Sequence, residues 1–311
     1  MVRALLILLL GCAGAAESPA PPAPASAPPA APAGAPTAAP GPAPTAASST
    51  GDSTPGGSAP GGVLAGLCEA SALVPWQGGW LVGDNEDPRA LHAFGPDFAP
   101  RGPVALPAEV DDIEALVLRD GGYLVVGSHS ANKEGKARPA RERLLYPDGR
   151  VLSAALDACP ACVAARGRAP DAGGFNVEGA AWRDGTLWLG LRAPLAPGGA
   201  ALLLALDDAG RATRTVELDL GGLGVRDLAP GPSGLLVVAG PVGDGDAAHS
   251  LWSLGATGER PERLLDLPPS TEGIALDPAD PGRLVYVTDG DGKPGAPCKV
   301  PATWGAVRLP G

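Results

Sequence analysis

The chain has 311 residues and a formal net charge of -11, with 34 acidic against 23 basic side chains. A chain this acidic has no general attraction for nucleic acid or for an anionic membrane surface, and it favours cations and cationic partners. Aromatic residues make up only 4% of the chain, whereas 46 glycines and 37 prolines predict many turns and few long helices.

Residues 1–12 read MVRALLILLLGC, with one basic residue, an apolar run and a small residue before Cys12. This segment resembles a bacterial lipoprotein signal, in which the signal peptide, here residues 1–11, is removed and the cysteine carries the lipid. A buried helix and a transmembrane anchor are the alternatives, but the apolar run is shorter than the roughly 20 residues that a span needs. Because Ala13 follows the cysteine, the resemblance implies an outer-membrane lipoprotein that faces the periplasm or the cell surface.

Residues 12–62 form the next segment, which is almost entirely Ala, Pro, Gly, Ser and Thr, with Glu17 and Asp52 as its only charged residues. Such a composition cannot bury enough apolar surface to offset the entropy of ordering. We therefore predict a disordered, polyproline-like linker that starts at lipidated Cys12. At roughly 3.1 Å per residue it reaches on the order of 150 Å, which holds the following domain clear of a membrane.

Residues 63–311 contain a motif that occurs five times. Each copy has an acid, a small and apolar run, a turn with glycine and a second apolar run; the acids are Glu69, Glu114, Glu178, Asp227 and Glu272. Turns such as RDGG supply the positive φ that tight hairpins need, and runs such as YLVVG are short and rich in strand-forming residues. Each copy is therefore predicted to begin with a β-hairpin.

Two further strand-like segments follow each of the first four hairpins, for example ALLLAL and RTVELDL. About four strands in each repeat, at even spacing, are typical of a β-propeller blade. We predict an all-β propeller of five four-stranded blades, or six if residues 157–175 form another. A β-sandwich is the rival fold, but it does not explain why an acid begins every repeat.

The propeller places certain side chains together, because the innermost strand of a blade starts at the face to which the second strand returns. The starts of the first strands and the ends of the second strands should therefore meet at one mouth of the central channel. The predicted ligand-binding residues of this mouth are Glu114, His129, Glu178, Arg192 and Glu272. Asp84, Asp289 and Asp291 are the predicted metal ligands on its acidic side.

Two interpretations of these acids are open. In the structural one, the acids of the ring accept hydrogen bonds from backbone N–H groups of neighbouring blades. In the functional one, carboxylate oxygens hold Ca²⁺, and basic blades bind an anion that the metal also contacts. The motif DGDG at residues 289–292 matches half of a calcium loop but lacks the closing Glu.

Four cysteines besides Cys12 form an even set in an oxidising compartment. Cys159 and Cys162 could form a local disulfide, a redox motif or half of a metal site, and the disulfide is favoured because no thioredoxin-like strand and helix surround them. A bond between Cys68 and Cys298 would join the first and last blades and act through loop-closure entropy. His129 lies between two serines, but no serine-hydrolase or zinc-protease motif is present.

Several segments, DIEALV, GSHS with the following RPARERLL, NVEGAAWRDGTLWLGLRAP and EGIALD, resemble the bacterial domain-of-unknown-function family three-six-one-six. The resemblance covers most of residues 63–292 and implies a propeller-like fold with no established activity. A looser likeness to calcium-dependent propeller phytases and esterase-like proteins implies metal binding by acids and phosphate binding by Lys and Arg. It carries over to Asp84, Glu114, Glu178, Arg192, Glu272 and Asp289.

The sequence thus predicts a lipid-anchored propeller of the cell envelope, with Ca²⁺ as its candidate cofactor. Its expected partners are the membrane, through the lipid alone, and a small anionic ligand or an envelope protein at the acidic mouth. No nucleic-acid partner is expected. The alternative function is a metal-dependent phosphoesterase with metal-bound water as the nucleophile, so the question of enzymatic activity is open.

Overall fold

A computed structural model describes residues 59–243, 248–255, 260–291 and 297–310, with the backbone alone for the first two residues. Within these ranges, twenty strands form five four-stranded antiparallel sheets. The innermost strands of the five sheets pack against one another in a closed ring. The protein is therefore a five-bladed β-propeller, as the repeats predict.

The strands follow one another along the chain from the inside to the outside of each blade. The chain begins with strand β1 (Ala59–Val63). The first blade consists of β2 (Ala70–Trp76), β3 (Gly79–Asp84), β4 (Ala90–Phe94) and β5 (Pro100–Ala105). The second consists of β6 (Ile113–Arg119), β7 (Gly122–Gly127), β8 (Leu144–Leu145) and β9 (Val151–Leu152).

The remaining blades have the same order, apart from the last strand. The third consists of β10 (Asn176–Arg183), β11 (Thr186–Ala193), β12 (Ala201–Leu206) and β13 (Ala212–Leu218). The fourth consists of β14 (Gly224–Pro230), β15 (Gly234–Gly240), β16 (His249–Gly255) and β17 (Pro261–Leu267). The fifth consists of β18 (Thr271–Asp277), β19 (Asp280–Thr288), β20 (Thr303–Arg308) and the N-terminal strand β1.

Three features close the ring between the last blade and the first. Strand β1 pairs with β20, so residues 59–62, which the sequence assigns to the linker, belong to the fifth blade. The disulfide Cys68–Cys298 joins the start of the domain to its end across 230 residues. Phe98 of the first blade also stacks between Trp80 and Trp304, with ring centroids 5.5 and 4.3 Å apart. The predicted bond between the first and last blades is confirmed.

Apolar side chains fill the space between each blade and the next. Between the second and third blades, for example, Leu124, Phe175 and Leu189 are buried in one cluster. Comparable clusters lie at the other four blade interfaces. Since burial of apolar area is the main favourable contribution to folding, packing between blades holds the ring together.

The segment that could have formed a sixth blade is a helical insertion. Residues 157–175 contain the short helix α1 (Pro160–Ala165) and a 3-10 helix (Pro170–Ala172). Both Cys159 and Cys162 are buried here and form the local disulfide that the sequence favours.

The predicted signal peptide, Cys12 and the linker up to residue 58 lie outside the described residues. Within the described part of the chain, no helix combines the length and apolar character that a membrane crossing requires.

Candidate functional site

Each innermost strand is interrupted by a β-bulge close to its start. In each hairpin one residue of the inner strand is passed over in the pairing with the second strand; for β2, Ala70 pairs with Asp84 and Ala72 with Gly83. The five bulged residues, which we call the channel ring, are Ser71, Glu114, Glu178, Arg226 and Glu272. All five are buried. Bulges re-aim side chains, and here they bring five polar groups to one end of the channel.

Three members of the channel ring are the acids expected from the repeats, and two are not. In the first blade the bulged residue is Ser71 rather than Glu69, and in the fourth it is Arg226 rather than Asp227. The register of each hairpin decides which residue is bulged. The residue after the bulge is either small or packed closely against a neighbour. At Gly179, for example, a side chain would come within 2.8 Å of the backbone of Asp227 in the next blade.

Ser71 and Asp227 have the structural role that one interpretation gave to the ring acids. The hydroxyl of Ser71 donates to the carbonyl of Ile113 in the next blade, at 2.6 Å. The carboxylate of Asp227 accepts from the N–H of Ile274 in the next blade, also at 2.6 Å. These bonds connect neighbouring inner strands. Glu114, Glu178 and Glu272 form no such bond among the described residues, so their burial needs another explanation.

Glu178 is held by side chains from two blades. Its Oε1 accepts from Asn176 Nδ2 and from Arg192 Nη1, both at 2.9 Å, and its Oε2 lies 2.9 Å from Nε of Arg226 without the alignment of a hydrogen bond. Arg192 is itself passed over in the pairing of β11, which turns it toward Glu178. Its Nε also donates to the carbonyl of Val242, at 2.7 Å. Glu178 and Arg192 therefore lie in contact at the mouth, as the sequence predicts.

Arg226 links the third and fifth blades through the ring. It forms ion pairs with Glu178 and Glu272, and the second is also a hydrogen bond from its Nη2. Burial lowers the pKa of Arg226, but the carboxylates of Glu178 and Glu272 raise it by more, so the net pKa lies above its ordinary value. The guanidinium is thus a permanent positive charge between the carboxylates of Glu178 and Glu272.

Glu114 is the unbalanced member of the ring. It is 9% exposed, and no described residue forms a hydrogen bond or ion pair with it. Burial raises its pKa well above the ordinary value, and the charges of Asp112, Glu178 and Glu272 raise it further. A buried carboxyl without a partner is neutral unless a cation joins it.

A second group of acids lies beside the ring on the first and fifth blades. Burial, followed by the charges of Glu69 and Asp84, raises the pKa of Glu86 to about 7. Burial, followed by Glu272 and Glu69, raises the pKa of Asp289 to about 8. The Oδ1 atom of Asp289 is buried and has no hydrogen-bond partner among the described residues. We call Glu69, Glu86, Glu272 and Asp289 the acidic side of the mouth.

The three predicted metal ligands do not come together. Asp84 accepts backbone N–H groups of Cys68 and Glu69 at one oxygen and of Glu86 at the other, so it orders the loop. Asp291 is half-exposed and pairs with Lys299 at 2.9 Å. Across the described ranges, no three His, Cys, Asp or Glu side chains are grouped so that they could hold a metal ion. Only Asp289 of the three lies beside the ring acids.

His129 is a core residue rather than part of the mouth surface. Its ring is buried, its Nδ1 lies 2.8 Å from the carbonyl of Gly127, and its ring meets Phe175 edge-on. Burial lowers its pKa to about 4, so the ring is neutral near pH 7. This environment suits packing and leaves the imidazole no exposed face for a ligand.

Two arginines on the second blade are neutralised locally. Arg141 pairs with Asp111 at 3.3 Å and with Asp112 at 2.9 Å, and Arg138 pairs with Asp111 at 2.9 Å. Exposed or half-exposed pairs of this kind leave little net positive charge for an anion.

Part of the chain matches a family of known sequences. Residues 169–267 match the family model DUF3616. Its description is "Protein of unknown function (DUF3616)", and it spans β10 to β17, the third and fourth blades. The family resemblance of the sequence is thus shown for residues 169–267, and this segment contains Glu178, Arg192 and Arg226. No curated protein matches the chain.

The solved structures that match the chain are distant in sequence. Hydrazine synthase of Kuenenia stuttgartiensis is 12% identical, with a TM-score of 0.37, over 72% of this chain and 57% of that one. Virginiamycin B lyase of Staphylococcus aureus is 12% identical, with a TM-score of 0.37, over 77% and 66%. The Dos1 propeller is 11% identical, with a TM-score of 0.36, over 71% and 53%. The chain thus spans between half and two thirds of these proteins, and nothing about its activity follows from them.

Proposed function

We propose that this protein is a lipid-anchored propeller of the cell envelope that binds a cationic group of a ligand at the acidic side of the mouth. The observation that carries the proposal is Asp289, whose buried Oδ1 has no hydrogen-bond partner among the described residues. Its pKa of about 8 arises from burial and from the nearby carboxylates of Glu272 and Glu69. A carboxyl in this position is stabilised either by a proton or by a bound cation.

The arginines already present do not supply that cation. Arg226 pairs with Glu178 and Glu272, and Arg192 pairs with Glu178. Burial raises the pKa of Glu178, and Arg226 offsets part of that rise. Glu114 and Asp289 lack a guanidinium partner among the described residues, so the mouth holds more carboxyls than positive charges. An additional cation would relieve the repulsion between them.

A protonated amine fits this group of acids better than a metal ion. An ammonium has three donors and imposes no fixed polyhedron on its acceptors. Ca²⁺ takes 6–8 oxygen ligands, and the described acids form no grouping of that kind. Ca²⁺ is nevertheless the second ligand to test, because every donor at the acidic side is a carboxylate oxygen.

No observation favours the phosphoesterase that the sequence offered as its alternative. A phosphate needs free basic side chains, and Arg138, Arg141 and Arg192 are all engaged with carboxylates. To test for phosphoesterase activity, the hydrolysis of 4-nitrophenyl phosphate should be measured with and without Ca²⁺ alongside the binding experiments. Metal-dependent turnover would replace the binding function with the enzymatic one.

The raised pKa values at the acidic side of the mouth predict that the free energy of unfolding falls as the pH rises from 6.5 to 8.5. The folded pKa of Asp289, about 8, exceeds its unfolded value near 3.8, so its contribution is present at low pH and is lost as the pH rises through 8. His129 acts in the opposite direction, but only between about pH 4 and its unfolded pKa of 6.5. We expect a loss on the order of 1–2 kcal/mol between pH 6.5 and 8.5, measured by denaturation at each pH.

A cation bound at the acidic side of the mouth should restore the stability that is lost at high pH. In thermal-shift experiments on the full chain with Cys12→Ser, millimolar propylamine should raise the Tm at pH 8 more than at pH 5, because only the ionised site binds it. Asp289→Asn should reduce the fall with pH and remove the response to the amine. Asp291→Asn, in the exposed pair with Lys299, is the matched control and should change neither. A response that survives in Asp289→Asn would place the cation elsewhere.

The lipid anchor is tested separately, because Cys12 lies outside the described residues. In a bacterial host that processes lipoproteins, the protein should incorporate labelled palmitate and partition into the detergent phase. Cys12→Ser should abolish both, whereas a Cys159→Ser, Cys162→Ser double variant should retain them. Palmitate incorporation by the Cys12→Ser protein would refute the anchor.

A further inference from the structure

The central channel changes character below the channel ring. A cavity with a volume of about 190 Å³ is lined by residues two to four positions after each bulge: 73–75, 116–118, 180–182, 228–230 and 274–276. All fifteen residues are Leu, Val, Ile, Ala, Pro or Trp. No charged side chain lines it, and the indole N–H of Trp182 is its only side-chain donor. This cavity is separate from the acidic side of the mouth, so an occupant would be recognised by apolar contact.

The cavity is closed at one end and open at the other. At the closed end lie the buried ion pairs that join Glu178, Arg226 and Glu272. The lining residues nearest the channel ring, such as Leu73 and Leu228, are also buried. The lining residues farthest from the channel ring lie at the face that carries the hairpin turns. There, Leu118 is 40% exposed and Pro230 is exposed. A ligand would therefore enter from the face opposite the channel ring.

The dimensions indicate the shape of the occupant. Three residues of a strand span about 10 Å, so the cavity is elongated along the channel. An extended hydrocarbon chain has the same elongated shape. An apolar cavity of about 150 Å³ is already large enough to hold a small apolar molecule.

The rim offers no charged anchor for a head group. Arg119 lies over the ring of Trp182, with 3.8 Å between its guanidinium carbon and the ring centroid. It is paired with Asp208 at 2.8 Å and with Asp120 at 3.0 Å. Because those carboxylates balance its charge, an uncharged polar head in water at the rim is the better match.

We propose that the channel binds the alkyl chain of an uncharged amphiphile, which enters from the hairpin-turn face. The chain occupies the apolar cavity and its head stays at the rim. Burial of each methylene tightens binding about fourfold, until the chain fills the cavity and further methylenes remain in water. This proposal does not depend on cation binding at Asp289, since the two sites lie on opposite sides of the ion-paired ring.

The test uses straight-chain primary alcohols of increasing length and the full chain with Cys12→Ser, so that no attached lipid competes. Calorimetric titration should show saturable 1:1 binding that tightens about fourfold per methylene and then levels off. Leu118→Asp places a charge at the opening and should weaken binding at least tenfold. Val151→Asp is the matched control, because Val151 is 41% exposed in a strand outside the cavity and should have no effect.

Pro230→Asp, on another part of the rim, replaces Leu118→Asp if that variant fails to fold. Binding that is unsaturable, or that both control and rim variants weaken equally, would overturn the proposal. Benzene that binds more tightly than every alcohol would overturn the assignment of an alkyl chain. If propylamine does not bind at Asp289, the expected binding of alcohols in the channel is unchanged. The two proposals can therefore fail independently.

Discussion

Replacement of both Cys68 and Cys298 by serine should lower the Tm of the oxidised protein by about 10–20 °C. The bond closes a loop of 230 residues, for which the chain-entropy relation gives about 5 kcal/mol. In a domain of this size, 1 kcal/mol corresponds to roughly 2–4 °C. The variant also loses the covalent connection between the first and last blades, where β1 pairing, the packing around Phe98 and the packing of β2 against β18 remain. Thermal unfolding followed by circular dichroism measures the effect.

The second disulfide is the internal control. Cys159 and Cys162 are three residues apart, so the same relation gives about 2 kcal/mol and a smaller drop in Tm. Dithiothreitol should destabilise the native protein and leave the Tm of a variant without either bond unchanged. If the short-range pair contributed as much as the long-range pair, closure of the ring would not be the source of the effect.

Arg226→Met should destabilise the protein by about 3–5 kcal/mol at pH 8 and by less at pH 5. The substitution keeps much of the side-chain volume but leaves the buried carboxylates of Glu178 and Glu272 without their shared cation. Without the guanidinium, which now lowers it, the folded pKa of Glu178 rises further above its unfolded value, so the destabilisation increases with pH. Denaturant titration at the two pH values measures both the loss and its pH dependence.

Two comparisons separate this effect from lost packing. A Glu272→Gln substitution in the Arg226→Met background should recover part of the stability, because it removes one of the unpaired charges. Arg308→Met breaks an exposed ion pair with Asp280 and should cost less than about 1 kcal/mol. An Arg226→Met loss that is the same at pH 5 and pH 8 would show that charge balance is not its cause.

The repeats, the strands and the hairpins could be predicted because local patterns encode them. Each hairpin has its own turn and its own apolar runs, and the offsets place Glu178 and Arg192 at the same end of one hairpin. The cysteine positions at the two ends of the domain likewise indicate the bond that closes the ring. Such features depend on residues close in sequence or on the order of the blades.

The composition of the channel ring could not be predicted from the acids that begin each repeat. Glu69 and Asp227 look equivalent to Glu114, Glu178 and Glu272 in the sequence, but the bulges select Ser71 and Arg226. A bulge shifts the register by one residue, and its position depends on how closely the next inner strand approaches. The same applies to His129, whose place in the core depends on Phe175 of the following insertion.

The sequence by itself therefore determined a propeller of five or six blades with polar groups at one end of its channel, and it indicated the disulfide that closes the ring, since alternation, turn residues and repeat spacing are properties of the chain. Only the tertiary structure decided which of those groups are balanced. Arg226 meets Glu178 and Glu272, whereas the Oδ1 atom of Asp289 and the carboxyl of Glu114 meet no described partner. Charge balance depends on distances between blades, and those distances arise when the ring closes.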